Sequence, residues 1–204
     1  MGLRRTVDAT VEPVSLPEMQ AHLRINDDIA QREATHIRGL ITVARQQVEE
    51  WEWRAHISQT WQWKLDAFPC GDDPAFYVPR PRLISVSSIA YTDTAGAPQT
   101  MDAADYVVDG TSEPGRIVPA YGESWPTPRS EINAVTVTFV AGYGTTPESV
   151  PESTRHIIKL LAAHYYENRE PINIGAAVNE IPLAMVLLRP AEDVRALTAW
   201  VERD

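Results

Sequence analysis

The sequence contains a single cysteine, Cys70, among its 204 residues, and it has no long hydrophobic run. One thiol cannot form an internal disulfide bond, and a metal site built on thiolates needs several. No window approaches the roughly 18 consecutive apolar residues of a membrane-spanning helix. The two arginines near the N-terminus are followed by no apolar stretch of the kind found in a secretory signal peptide. We therefore expect a soluble protein that is made in a cytosol.

Basic residues are also scarce. Lys and Arg together number 18 against 28 Asp and Glu, which gives a formal net charge of -10. Because a non-specific nucleic-acid binder needs surplus positive charge to displace counterions, this composition disfavours an ordinary DNA-binding role. The chain is 44% hydrophobic and contains six Trp and seven Tyr. These side chains are enough to bury roughly 70% of the unfolded surface, so the composition also excludes a disordered chain.

Helix signals occur in three parts of the sequence. Residues 15–18, Ser-Leu-Pro-Glu, match a capping box and predict a short helix through Leu23. A long amphipathic helix is predicted over about 28–54, and a similar capping pattern at 149–152 predicts a further helix that ends near Arg169. The buried stripe of the first long helix consists of apolar residues spaced by three and four: Ile37, Leu40, Ile41, Ala44, Val48 and Trp51.

Between these helices the hydrophobic period changes to two. Alternation over 57–67 predicts a strand, and the Asp-Thr-Ala-Gly sequence at 93–96 predicts a hairpin turn. Five more short strands are predicted between proline-rich breaks: 76–78, 84–92, 106–108, 116–118 and 135–140. This spacing favours a small antiparallel sheet or barrel-like insert over a βαβ array.

The predicted fold is α+β, a helical bundle of two long helices and shorter ones with an antiparallel β insert between them and a C-terminal helical extension. The expected parts are an N-terminal helical part (1–56), the β insert (57–148), a helix completing the bundle (149–170), and a linker with a C-terminal helix (171–204).

No motif indicates a cofactor site. The sequence Gly142-Tyr143-Gly144 follows a predicted strand, but it lacks the Lys-Ser/Thr of a P-loop and the third glycine of a dinucleotide fingerprint. We interpret it as a tight turn that closes the strand.

No motif indicates catalysis or metal binding either. We interpret the five scattered histidines as surface or interface residues, since none forms a metal-binding pair: His22, His36, His56, His156 and His164. Ser124 is flanked by Trp and Pro and is not a nucleophile elbow, and the acidic pairs fit solvated charge better than acid–base catalysis. The prediction is therefore a protein that is not an enzyme and has no catalytic, cofactor or metal site. An enzyme or small-ligand domain of unknown chemistry remains the alternative, and it would make His156, His164 and Glu167 essential.

Several short segments occur in the order found in a known family. They are Ser15-Leu16, Ala-His-Leu-Arg at 21–24, Gln-Thr-Trp at 59–61, Val-Thr-Val-Thr-Phe-Val-Ala-Gly-Tyr-Gly at 135–144, Val-Pro-Glu-Ser-Thr-Arg at 150–155 and His-Tyr-Tyr-Glu-Asn-Arg-Glu at 164–170. From about Val14 to Leu188 the chain resembles the head-tail connector (adaptor, or head completion) proteins of long-tailed phages and of phage-derived gene transfer agents. It departs from the pattern at Val140, where a threonine is expected, and in continuing past Leu188.

The resemblance implies a structural virion protein at the head-tail interface, assembled in the bacterial host cytoplasm and without reaction chemistry. Such proteins form a closed ring of about twelve copies below the portal. The ring extends the channel for double-stranded DNA and presents a surface to a neck stopper or tail protein. A neck stopper or tail terminator is the alternative within this class, but those proteins are mostly β, and the predicted long helices argue against them.

The acidic composition fits this role, because an acidic channel wall would repel the DNA that passes through it.

Three sets of contact residues are also expected from this role. Arg38, Arg45 and Arg155 are candidates for contacts between subunits, with a solvated helix face as the alternative, and Tyr121 and Trp125 are candidates for the tail-facing surface. The apolar residues of the C-terminal segment are candidates for portal binding, with folding back onto the chain's own helices as the alternative: Ile181, Leu183, Met185, Leu187, Leu188, Val194, Leu197, Trp200 and Val201.

Overall fold

The computed structural model describes residues 2–71 and 73–168. In these residues the chain forms four α-helices and eight β-strands, and every strand pair is antiparallel. The fold is therefore α+β, as the sequence predicts. The described residues form two compact units: a β unit of residues 2–10 and 57–144, and a helical unit of residues 11–56 and 145–168.

The helical unit is built around one apolar core. Its helices are α1 (Leu16–Leu23), α2 (Asp27–Arg32), α3 (Ala34–Glu52) and α4 (Glu152–Glu167), and a 3-10 turn spans Pro147–Ser149. Helix α3 packs against α4, and α1 packs against both. The core contains four of the six residues of the predicted α3 stripe together with their partners: Val14, Met19, Ile37, Ile41, Ala44, Val48, Ile157, Ile158, Leu161 and Ala162. The other two members of the stripe, Leu40 and Trp51, are half-buried and pack against this core.

One of the two predicted helix caps is present. The Ser15 backbone N–H donates to Glu18 Oε2 at 2.8 Å, and the Glu18 N–H donates to Ser15 Oγ at 3.4 Å, which completes the capping box of α1. The second predicted cap is wrong, because α4 begins after Pro151 without a side-chain cap. Ser149 instead ends the 3-10 turn, and its hydroxyl donates to the Thr146 carbonyl at 2.6 Å.

The predicted helix over 28–54 is two helices. Helix α2 ends at Arg32, and Glu33 (φ -100°, ψ 9°) separates it from α3. Asn26 caps α2 by accepting from the Ile29 N–H at 2.9 Å. No proline or glycine marks the break, so no local sequence signal indicates it.

The β unit contains two sheets. Its strands are β1 (Gly2–Val7), β2 (Gln59–Leu65), β3 (Phe76–Tyr77), β4 (Leu83–Thr92), β5 (Pro98–Thr100), β6 (Tyr106–Asp109), β7 (Arg116–Pro119) and β8 (Val135–Ala141). The larger sheet has the order β1-β2-β8-β4-β5, and the smaller has the order β3-β7-β6. The predicted alternation is confirmed in β2, where Trp61 and Trp63 are buried and lie opposite Phe139 and Val137 of β8.

The N-terminal residues, which the sequence predicts to belong to the N-terminal helical part, instead form a strand of the β unit. Residues 2–7 form β1, which pairs with β2 so that Leu3 lies opposite Trp63 and Arg5 opposite Trp61. The strand has six residues, and its partner is distant in sequence, so no local pattern revealed the pairing. The chain therefore passes from the β unit to the helical unit after residue 10 and returns to the β unit at Ile57.

The predicted linker and C-terminal helix (171–204) lie outside the described residues. No helix in the described ranges is both long enough and apolar enough to cross a membrane.

Candidate interaction surfaces

The glycine-rich segment after β8 is a tight turn, as its sequence predicts. Gly142 has a φ of 143°, and a Cβ atom there would lie 2.7 Å from the carbonyl carbon of Ile57. The Ser58 N–H donates to the Gly144 carbonyl at 2.8 Å. The turn thus fixes β8 against the start of the returning chain, which explains the glycine without a phosphate ligand.

Potential metal ligands do not converge in residues 2–71 and 73–168. No group of three His, Cys, Asp or Glu side chains in this part of the chain is arranged to hold a metal ion. His156 packs edge-on against His22, with ring centroids 6.2 Å apart, while His164 contacts the ring of Tyr165. Burial lowers the pKa of His22, and the positive charges of His156 and Lys159 lower it further.

His56 is an exception to the expectation that the histidines lie at a surface or interface. The side chain is fully buried, and its Nε2 lies 2.8 Å from Oε2 of Glu52, the last residue of α3. Its backbone N–H donates to Glu49 Oε1 at 3.1 Å. These contacts hold the segment after α3 against the helix, so His56 has a structural role within the helical unit.

Arg45 lies inside its own helical unit. It is only 1% exposed, and its guanidinium donates to Glu12 at 2.8 Å and to Glu49 at 2.9 Å. The Thr42 hydroxyl donates to the other Glu12 oxygen at 2.8 Å. This cluster ties the segment before α1 to α3, so the Arg45 side chain serves the interior of the unit instead of a solvated helix face or an exposed lateral contact.

Arg155 also makes its described contacts within the helical unit. Its Nε donates to the Pro13 carbonyl at 2.9 Å, and its other nitrogens bond Glu152, at 2.6 Å, and Glu18. Glu18 thus both completes the cap of α1 and joins α1 to α4. Arg38, the third arginine of this set, is exposed on α3.

The two residues predicted to face the tail differ in exposure: Trp125 packs inside the β unit, whereas Tyr121 is exposed. Trp125 stacks on Phe68 at 5.2 Å between ring centroids and lies 5.1 Å from Phe76. Its Nε1 donates to the Pro74 carbonyl at 2.6 Å. Tyr121, four residues earlier, is fully exposed. The indole therefore fixes the loop, and the phenol is the member of the pair that is presented to solvent.

The sheet edges of the β unit differ in length. β3 has only two residues and β5 only three, and Pro98 begins β5, so both edges are poor templates for another strand. β1 has six residues and β6 has four. β6 also exposes two apolar residues, Val107 at 53% and Val108 at 37%. Among the described strands, β1 and β6 are therefore the open edges.

No protein-family model matches the sequence, and no curated protein matches it. Solved structures match its fold over nearly the whole chain. A chain in the neck of an empty gene transfer agent (GTA) particle, computed with C6 symmetry, aligns with a TM-score of 0.74 and 23% identity, covering 93% of this chain and 95% of that one.

Two further structures agree. A chain in the virion of a native GTA particle gives a TM-score of 0.70 at 23% identity, covering 92% of this chain and 93% of that one. A chain in the neck of a native GTA particle, computed with C12 symmetry, gives 0.68 at 23% identity, covering 93% and 95%. The protein described here has the fold that these particle components share.

Proposed function

We propose that this chain is a structural protein of a phage or GTA neck, where it forms the adaptor ring between the portal of the DNA-filled head and the tail. The observation that carries the proposal is the shared fold with a GTA neck chain over 93% of this chain and 95% of that one. The ordered segments that resemble head-tail connectors support the same role. A structural role needs no convergent catalytic site.

The proposed assembly is a homo-oligomeric ring of about twelve copies, which requires two different, complementary faces on each subunit. The C6 and C12 symmetries of the neighbouring neck structures support a cyclic arrangement. Double-stranded DNA passes through this ring without specific binding. The net charge of -10 supports this part of the proposal, because an acidic surface repels phosphates.

The proposed portal contact is the C-terminal segment, residues 181–204, which lies outside the described residues. Its sequence predicts a helical extension joined by a linker. Its apolar sequence pattern includes Leu197 and Trp200, and a large aromatic residue is a common interface anchor. The proposed tail-facing contact is Tyr121, presented by the loop that Trp125 anchors. Arg38 is the proposed lateral contact among the three arginines, because it is the exposed one.

Deleting the gene from a strain that produces the particles tests the neck role. We expect DNA-filled heads that lack tails to accumulate, because the portal would have no adaptor to extend it. Complementation with the wild-type gene should restore tailed particles, in which cryo-electron microscopy should locate the chain between portal and tail. Tailed particles that form normally without the gene would contradict the proposal.

The portal contact is tested separately by co-purification of the full-length chain with the portal protein encoded in the same particle gene cluster. We expect Trp200→Ala and Leu197→Ala to weaken binding by at least roughly tenfold, as truncation of an interface anchor does. Arg203→Ala, a polar change in the same segment, is the control and should bind normally. Wild-type binding by the Trp200 and Leu197 variants would remove the portal role of this segment.

A further inference from the structure

We propose that neighbouring copies of this chain join edge to edge in the β unit, with β1 of one subunit pairing with β6 of the next. The inference rests on the proposed ring and adds a lateral contact in the β unit to the one proposed at Arg38. It commits to a second copy of the chain as the occupant of both open edges.

The lengths of the edge strands indicate that β1 and β6 are the two able to pair with another strand. A sheet edge presents unpaired backbone N–H and C=O groups, and proteins protect such edges by shortening them or by placing proline or charge on them. β3 and β5 are protected in this way, whereas β1 and β6 are the longer edges of their respective sheets. A closed ring needs one donor face and one different acceptor face, and two open edges on different sheets meet that requirement.

Charge makes the two edges complementary. On β1, Arg4 is exposed and makes no ion pair within the described residues, whereas Arg5 is held by Asp8 at 3.2 Å and lies over the ring of Trp61. Directly before β6, the carboxylate of Asp105 makes no hydrogen bond or ion pair within the described residues, and only its backbone is bonded. One edge is therefore basic and the other acidic, in a protein where basic residues are the minority.

The carboxylate at the opposite end of β6, that of Asp109, is already paired within the subunit. Asp109 accepts from Arg116 at 2.8 Å and from the hydroxyls of Thr111 and Ser112, each at 2.7 Å. These hydrogen bonds hold the pKa of Asp109 well below its usual range. Its charge is thus compensated within the subunit, which leaves Asp105 as the acidic group of this edge available to a partner.

The exposed valines supply the apolar part of the contact. Adjacent residues of a strand face opposite sides of a sheet, yet Val107 and Val108 are both exposed. An added strand would cover part of both side chains while satisfying the open backbone groups. Val7, at the end of β1, is 52% exposed and supplies apolar surface on the other edge.

Charge reversal in the full-length chain tests the pairing, with self-association measured by sedimentation velocity and ring formation by electron microscopy. We expect Arg4→Asp and Asp105→Arg each to weaken association by roughly tenfold, because like charges then face each other. The chain carrying both changes should recover wild-type association, since the opposite charges have only exchanged sides. Arg129→Asp is the control and should associate like wild type, because Arg129 lies beside the β4–β5 turn and belongs to neither open edge.

A second pair of variants tests the apolar edge. Val107→Lys places a charge on β6 and should abolish ring formation, whereas Ile132→Lys makes the same change at a residue that is 81% exposed and belongs to no strand. Circular dichroism identical to wild type shows that each variant is folded. If Val107→Lys and Ile132→Lys assemble alike, or the double charge reversal fails to recover, the edge pairing is wrong.

These outcomes separate the edge pairing from the neck role. A wild-type chain that remains monomeric at every soluble concentration overturns the pairing. Variants that still form wild-type rings at the particle neck overturn the pairing and leave the neck role intact. A chain that self-associates through these edges but is absent from purified particles supports the pairing and overturns the neck role.

Discussion

At the scale of single residues, the guanidinium of Arg45 is the clearest stabilising group of the helical unit. Its removal would take away the guanidinium that lies 2.9 Å from Oε2 of Glu49, a carboxylate whose residue is only 3% exposed. We expect Arg45→Ala to lower the free energy of unfolding by about 3–5 kcal/mol, the usual cost of breaking a buried ion pair. Urea denaturation of the purified chain measures this directly.

Arg38→Ala provides the matched control, seven residues earlier in the same helix. Because Arg38 is exposed, its truncation should change the free energy of unfolding by no more than about 0.5 kcal/mol. Equal losses in the two variants would mean that the contacts of Arg45 do not stabilise the unit.

The pair of His22 and His156 should make stability depend on pH. The pKa of His22 is lowered by burial and by the positive charges of His156 and Lys159, so the unfolded chain takes up a proton more readily than the folded one. His22 therefore costs no stability above its ordinary pKa of about 6.5, and stability falls as the pH drops below that value. In denaturation midpoints measured across this range, His22→Gln should flatten the slope. An unchanged slope would contradict the assignment to His22.

The sequence contains part of the signal for these polar contacts. Arg45 and Glu49 are four residues apart within α3, which is the spacing of neighbours on a helix face. Glu52 and His56 are also four residues apart, but His56 lies beyond the end of α3, so helical spacing does not predict their contact. Glu12 lies 33 residues from Arg45, and nothing local indicates that the two meet. Helical spacing therefore predicts which residues are neighbours along α3, but tertiary packing determines that Arg45 points inward.

At the scale of secondary-structure elements, two glycines should respond oppositely to alanine. Gly39 lies within α3, and, apart from Gly39, its chain neighbours and the nearby backbone of the helix, no described atom lies within 4 Å of a Cβ built there. Gly39→Ala should therefore raise the free energy of unfolding by about 0.5–1 kcal/mol, because alanine is the better helix former and meets no obstruction. Thermal unfolding measures this change, and the unfolding midpoint of Gly39→Ala should be higher than that of the wild type.

Gly142→Ala should instead destabilise the β unit by about 1–3 kcal/mol. Its φ of 143° is rarely adopted by residues with a side chain, and the added Cβ would meet the backbone of Ile57 at 2.7 Å. The same thermal measurement tests it, and a midpoint equal to that of Gly39→Ala would show that the turn is not constrained.

The elements also differ in how far the sequence predicts them. β2 and β8 follow a period of two and are the central partners of the larger sheet, so their faces could be assigned from pattern alone. β1 could not, since six residues give too little pattern and their partner is encoded far away. The break at Glu33 has no sequence signal either. Local periodicity thus predicts the type of element, while long-range pairing determines which element neighbours which.

At the scale of the whole molecule, the proposed role depends on surfaces and charge instead of a pocket. Arg45, Arg155 and Trp125, which the sequence suggested as contacts, make their described bonds inside their own units. Arg38, Tyr121, β1 and β6 remain as surface features. The functional hypothesis came from the set of short segments that resemble head-tail connectors, because together they extend over most of the chain. No single motif predicts a catalytic or binding activity.

Net charge leads to a prediction for the assembled protein. A channel that lets DNA slide should not hold phosphates, and the chain has ten more acidic than basic residues. We expect the full-length chain, as a monomer or a ring, to show no measurable binding to a fluorescent DNA duplex even at about 50 mM salt, where counterion release most favours binding. Anisotropy titrations measure this, with a basic DNA-binding protein as the positive control. Binding that weakens steeply between about 50 and 200 mM salt would reveal a phosphate-binding surface and contradict a channel that repels DNA.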